Sequence, residues 1–327
     1  WLVYNLEAAA QGVAGIVEQA KLGTFSKLTV RGGVLEMNDA LYGVFRTFRD
    51  IRMTMAPSAD AKSASGEFSL DFGGSQMGGL VEWTEEGDTA RMRASLVDFN
   101  PSSFMPISPD EEALAQLVGT MAVSLDLGFS LPEVKVLDGL FHLDMTGMDL
   151  RVGEQTLPIV TSIAEVRWDP PAGQFSMDET QVIVGDNSAF VQGQFGLGLD
   201  PQYGPTVSIS MSGRDIVIPS DLGAPAAPFP SMKFNGWSAP LYGATGIDQF
   251  ELKAPSGGQI VSEGRIDMLR KGAGFQMTVA GEGITAEELK RVWPPMVSRD
   301  SRDWFIKNIP AGRLKASSMR YDFPIGS

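Results

Sequence analysis

Apolar and polar residues alternate one by one along most of this chain, and that period constrains the fold more than any motif does. In EFSLDF (67–72), Phe68, Leu70 and Phe72 alternate with Glu67, Ser69 and Asp71. In MAVSLDLGFSL (121–131), Met121, Val123, Leu125, Leu127, Phe129 and Leu131 share one parity. TVSISMS sets Val207, Ile209 and Met211 against serines, and GFQMTVAG sets Phe275, Met277 and Val279 against Gln276 and Thr278. Successive side chains of a strand point to opposite faces, so each stretch carries one apolar and one polar face. Strands buried on both faces of a parallel sheet read instead as unbroken apolar runs, so the pattern predicts an antiparallel, mainly β protein. Gly and Pro clusters punctuate the strands at short intervals, as turns require.

Few segments depart from that period. Leu6, Ala10, Val13 and Val17 fall at helical spacing in NLEAAAQGVAGIVEQAK, and Gly23 ends the pattern. SPDEEALAQLVG (108–119) predicts a second helix, with Ser108 and Glu111 as a capping box, Pro109 at its first position and Leu114, Leu117 and Val118 on one face. GLVEW from Gly79, GQFGL from Gly193 and GRIDM from Gly264 are each followed by a turn, a strand and a closing element. The closers are DFNPSSF at Asp98, IVIPSDL at Ile216 and GITAEEL at Gly283, ending at Phe104, Leu222 and Leu289. Similar β units stacked side by side are expected, over roughly 1–106, 107–222 and 223–290, with a helical cap and final strand over 291–327.

The chemistry that such a chain can perform is narrowed by what it lacks. With 327 residues, no cysteine and one histidine, it needs no disulfide to fold and offers no thiolate or zinc-thiolate chemistry. No GxSxG, HExxH, Walker A or EF-hand pattern occurs, and Gly193, Gly196 and Gly198 lie in a strand rather than before a helix. His142 sits on the polar parity of LFHLDM, as a solvated strand residue. The acid pairs Glu85/Glu86, Glu111/Glu112 and Glu287/Glu288 fall in a turn or in first helical turns, where carboxylates suit the helix dipole. No enzyme, metal site or cofactor is expected. A formal charge of -14 argues against nucleic acid as a partner. No apolar run reaches the roughly 18 residues of a membrane span. The chain starts at Trp1, and the expectation is an internal fragment of a larger protein, with any anchor outside it.

What remains is the apolar parity itself. It includes Met53, Met55, Met92, Met145, Met211 and Met277, thioethers that serve equally as core filler and as lining for variable apolar shapes. Many one-faced strands and few helices leave two solutions: the sheet closes on itself as a sandwich, or its inner face stays open as an apolar groove.

The carboxyl end bears a resemblance that selects between them. In ITAEELKRVWPPMVSRDSRDWFIKNIPAGRLKASSMRYDF, the positions Leu289, Trp293, Pro294, Pro295, Arg302, Asp303, Trp304, Gly312 and Arg313 resemble the signature region of the AsmA-like envelope proteins, YhdP-type branch. The resemblance implies an elongated, curved β-groove of repeated units, part of an inner-membrane-anchored bridge. That bridge crosses the periplasm of a Gram-negative envelope toward the outer membrane and carries phospholipid. It implies that acyl chains lie along Phe68, Leu70, Phe72, Met92, Leu96, Val123, Leu125, Leu127, Phe141, Leu143, Met145, Val207, Ile209, Met211, Phe275, Met277 and Val279. The competing expectation is an assembly module for outer-membrane biogenesis that offers strand edges to envelope protein partners.

Within the signature, Thr285 and Glu288 form a capping box and Pro294–Pro295 stop the first helix. A second helix is expected to carry Trp304, Phe305 and Ile309 inward, with Arg302 beside a carboxylate. Leu289, Trp293, Pro294, Pro295, Arg302 and Trp304 thus read as a structural cap or plug, with direct lipid or partner contact as the alternative.

Overall fold

A computed structural model describes the chain except for residues 1, 25, 40–43, 60–61, 102–114, 153–154, 221–225, 240–242, 270–271, 294–298 and 324–327, and leaves out the side chains of 2–5, 37–39, 44–46, 115, 152, 268–269 and 272–273. Among the described residues there are eighteen strands, antiparallel in each ladder whose register is described, so the mainly β antiparallel class is what the sequence adopts. Two compact units share the chain. The first comprises Trp1–Met105, Leu117–Met148 and Ile163–Met177, and the second Pro106–Gln116, Asp149–Ser162 and Asp178–Ser327.

In the first unit, α1 (Leu2–Lys21) precedes β1 (Leu28–Asp39), β2 (Val44–Pro57), β3 (Ser63–Phe72), β4 (Ser75–Glu86) and β5 (Thr89–Phe99). These five strands pair in sequence order. β6 (Ala115–Val118) is bypassed: β5 pairs with β7 (Met121–Ser130), which pairs with β8 (Lys135–Asp144). The 108–119 stretch therefore corrects the sequence reading where it is described. Ala115–Val118 is a strand, not helix, and residues 108–114 lie outside the described part. Leu114, Leu117 and Val118 fit a helix face, but a stretch as short as Ala115–Val118 fits a strand equally well, and pairing with a neighbouring strand decides it.

The predicted first helix forms with the predicted face. Ala10 and Val17 are fully buried, and Leu6 and Val13 pack on the same cluster as Met55, Trp83, Met92, Leu127 and Phe129. Gly23, at φ 70°, ends it: Thr24 N–H donates to Gln19 O at 3.1 Å and Gly23 N–H to Ala20 O at 2.9 Å, a Schellman closure. Both ends of α1 are tied down. Glu7 accepts from Val136 N–H at 3.2 Å and from Lys135 Nζ at 3.1 Å, while Lys21 Nζ meets Glu85 at 2.7 Å.

Next come β9 (Asp149–Val152), β10 (Gln155–Asp169), β11 (Gln174–Val184), β12 (Asn187–Asp200) and β13 (Gly204–Val217). β10 pairs with β8 through Ile163–Trp168 in the first unit and with β9 through Gln155–Pro158 in the second. The second unit continues as β14 (Phe229–Ala239), β15 (Ala244–Lys253), β16 (Gln259–Leu269) and β17 (Gly272–Thr285). It ends with α2 (Ala286–Val292), α3 (Arg299–Asn308) and β18 (Arg313–Phe323). From β12 to β18 each strand pairs with the next strand along the chain. α2 covers a second cluster, built on Phe229, Leu252, Ile260 and Ile284, with Leu289 and Val292 packed against it.

Candidate functional site

Register turns the sequence alternation into two continuous apolar faces, one in each unit. In the first, Met53, Phe68, Gly79, Leu96, Val123, Leu143 and Ala164 stand opposite one another on successive strands. The spacing between such neighbours is about 4.8 Å, close enough for the side chains to form one surface. The next row toward α1 runs Met55, Gly66, Val81, Ala94, Leu125, Phe141 and Val166. Neither row contains a charged side chain.

The second unit repeats the arrangement. Phe195, Ile209, Gly236, Ile247, Gly264, Met277 and Tyr321 form one row; Leu197, Val207, Ser238, Thr245, Ile266, Phe275 and Phe323 form its neighbour. Glycine lets bulky neighbours lie across the sheet. A Cβ at Gly264 would stand 2.2 Å from Gln276 O, and one at Gly79 2.7 Å from the Phe68 ring.

The opposite faces carry the charges, largely matched. Arg91 meets Asp126 at 2.6 Å and Asp138 at 2.9 Å, and Arg93 meets Asp126 at 3.0 Å. Burial would raise the Asp126 pKa, but its bonds to Arg91 and Arg93 outweigh that and hold it below the ordinary value. Arg214 pairs with Glu179 at 2.6 Å and Asp215 at 2.5 Å. His142 lies on this face, 3.8 Å from Glu165. Trp237 stacks on Tyr203 at 4.9 Å, and the Arg265 guanidinium lies over the same tyrosine at 4.7 Å.

Of the expected groove residues, Phe68, Leu70, Leu96, Val123, Leu143 and Met145 are half-buried in the first unit. Val207, Ile209, Met211, Phe275 and Met277 are half-buried in the second. Phe72 is buried and stacks on Phe48 at 4.8 Å. Met92 and Leu127 lie in the core with α1, Leu125 and Phe141 pack against that core, and Val279 packs against the α2 cluster. Met92 and Leu127 therefore act as core and not as open lining.

Sequence reasoning missed Phe195, Phe234, Ile247, Phe250, Ile266 and Tyr321, all half-buried on the apolar face of the second unit. A register shift between Ile247 and Phe250 puts both on one face three residues apart, which breaks the alternation that would have found them. In β12, Phe195 was hidden among glycines.

The cap is partly as expected. Thr285 N-caps α2 with a complete capping box, and Trp293 N–H closes the helix on Leu289 O at 3.0 Å. Trp293 packs on Phe305 at 5.8 Å, and Arg302 Nε donates to Trp293 O at 3.1 Å, so the described contact of Arg302 is with a carbonyl. Trp304 corrects the prediction: it is 60% exposed, whereas Phe305 and Ile309, also expected inward, are half-buried, as is Ile306. Pro294 and Pro295 lie outside the described residues.

Fold and site together define a class: an antiparallel sheet protein with one apolar and one charged face, capped locally by short helices. Compared with protein-family models, curated proteins and solved structures, the chain matches none of them. Among the described residues no helix is long and apolar enough to cross a membrane, and no cluster of three or more His, Cys, Asp or Glu is placed to hold a metal.

Proposed function

We propose that the chain is a non-enzymatic carrier of acyl chains, holding phospholipid tails along the apolar faces while headgroups stay in water. One observation carries this reading: the rows through Leu96 and Met277 contain no charge, and Phe68, Leu96, Val123 and Leu143 in the first and Phe195, Ile209, Ile247 and Met277 in the second are only half-buried. Each methylene moved from water onto such a face contributes about 0.8 kcal/mol, so a long acyl chain gains enough to leave water without any polar contact. The resemblance of the carboxyl-terminal segment supports reading such a carrier as one segment of a larger anchored protein, in a periplasmic bridge between inner and outer membranes.

The test is organic extraction of the purified protein followed by mass spectrometry, with photocrosslinking probes at positions 209, 277, 208 and 276. Lipid captured from 209 and 277 but not from the polar-face positions supports the reading. Equal capture from both faces, or none from either, overturns it.

A further inference from the structure

The apolar face of the second unit carries a polar interruption. Of the four rows described above, three hold no serine or threonine, whereas the row through Val207 and Ile266 sets Ser238 and Thr245 side by side between them. The two are direct cross-strand partners on β14 and β15, and both are half-buried. Their hydroxyl oxygens lie 3.4 Å apart, long against the usual range of about 2.5–3.0 Å for such a bond. Among the described residues neither hydroxyl has another hydrogen-bond partner. Two hydroxyls bring two donors, and only one proton can lie between the two oxygens, so one O–H is left to be placed.

An acyl chain laid over this row would strip water from that O–H and offer nothing in return, which is costly for a polar group. A carbonyl oxygen brings an acceptor and no donor, which is what the pair lacks. The position along the strands also fits the junction between the tails and the headgroup of a lipid. Ala239 and Ala244, the last pair of this ladder, are the next residues toward the hairpin, so the hydroxyls stand at the rim of the face, where a headgroup reaches water. In the other direction the face continues through Ile247 and Phe250 to Leu252, in the cluster under α2, roughly 20 Å away along β15. We infer that Ser238 and Thr245 receive an ester carbonyl of the bound lipid, and so make the second unit selective for ester-linked over ether-linked lipids. The inference rests on the carrier reading and assigns the point at which the lipid is held.

Competition between two lipids tests it. The delipidated intact chain is given vesicles that hold equal amounts of a diester phosphatidylcholine and its diether analogue, matched in headgroup and chain length, and the protein-bound lipid is counted by mass spectrometry. The wild-type chain should hold the diester about three- to ten-fold over the diether, the worth of one hydrogen bond. Ser238→Ala combined with Thr245→Val should bring the two lipids to parity with total bound lipid unchanged, since the apolar face stays intact and valine keeps the shape and strand preference of threonine. Thr245→Ser, which keeps the hydroxyl, should keep the preference. Ser262→Ala, on the same face beside Phe250 and Val279, should keep it too. Parity in the wild-type chain, or a double variant that still prefers the diester, overturns the inference while leaving the carrier reading standing. A double variant that melts earlier with its preference intact makes the pair a fastening between β14 and β15 and nothing more. If neither lipid is held by any variant, the carrier reading falls and this inference with it.

Discussion

Both carboxylate oxygens of Glu288 are engaged by Ser256, whose N–H donates to Oε1 at 2.8 Å and whose hydroxyl donates to Oε2 at 2.7 Å. Thr285 adds its N–H at 2.9 Å and its hydroxyl at 2.8 Å, so a buried carboxylate joins the α2 N-terminus to the turn between β15 and β16. Burial alone would raise the pKa, but the donors from Thr285 and Ser256 outweigh it and hold the group below the ordinary 4.5. The stability this group contributes is therefore present above about pH 4.5 and is lost as pH falls through the lowered folded-state value. Glu288→Gln should cost about 1–3 kcal/mol at neutral pH and flatten the acid limb of the stability curve. Hydrogen exchange of the α2 amides against pH reads both effects.

The tryptophans separate core from surface. Trp83 is fully buried, packs on Phe129 at 5.7 Å and donates its indole N–H to Glu85 at 3.3 Å. Trp83→Ala should destabilise the first unit by about 3–5 kcal/mol. Trp304→Ala, at an exposed site, should change stability by no more than about 0.5 kcal/mol. Paired denaturant titrations check the contrast.

How much of this was legible in the sequence depends on the range of the interaction that decides each element. Strand parity is local, so Phe68, Leu70, Ile209 and Met277 were placed on the apolar side from alternation alone. The Thr285–Glu288 box is equally local, being set by residues three apart. Ser256 as the partner of Glu288 is 32 positions away and leaves no sequence signal. Trp304 was misread because a large ring in a short helix suggests an inward anchor, whereas the packing of Phe305 on Trp293 fixes which face of α3 turns inward. The positive φ values at Asp50 (46°) and Asp98 (58°) accompany register shifts at Arg49/Arg52 and Leu96/Phe99, and nothing local announced them.

Gly264 combines two constraints. Its φ of 152° is one that other residues rarely adopt, and an added Cβ would also lie 2.7 Å from Met277 Cα. Both obstacles are backbone, which cannot swing aside as a side-chain tip can. Gly264→Ala should therefore cost about 2–3 kcal/mol and distort the row that includes Ile247 and Met277. Thermal melting measures the first effect. If the carrier reading holds, reduced lipid retention by the folded variant reports the second.

Val17 is the point at which α1 is most readily pried from the sheet. Its side chain is fully buried in the cluster that also contains Met92 and Leu127, while the helix ends are held by polar contacts of Glu7 and Lys21 at the surface. Val17→Asp places a carboxylate among apolar groups, at a cost of several kcal/mol that exposed ion pairs of about 0–1 kcal/mol cannot offset. The helix should detach locally before the strand ladder opens, because the ladder is held by its own backbone hydrogen bonds. Exchange of the α1 amides should accelerate while β4 and β7 amides stay protected, and an apolar dye should gain a site over Met92 and Leu127. Joint loss of protection in α1 and the strands would instead make the helix integral to the unit.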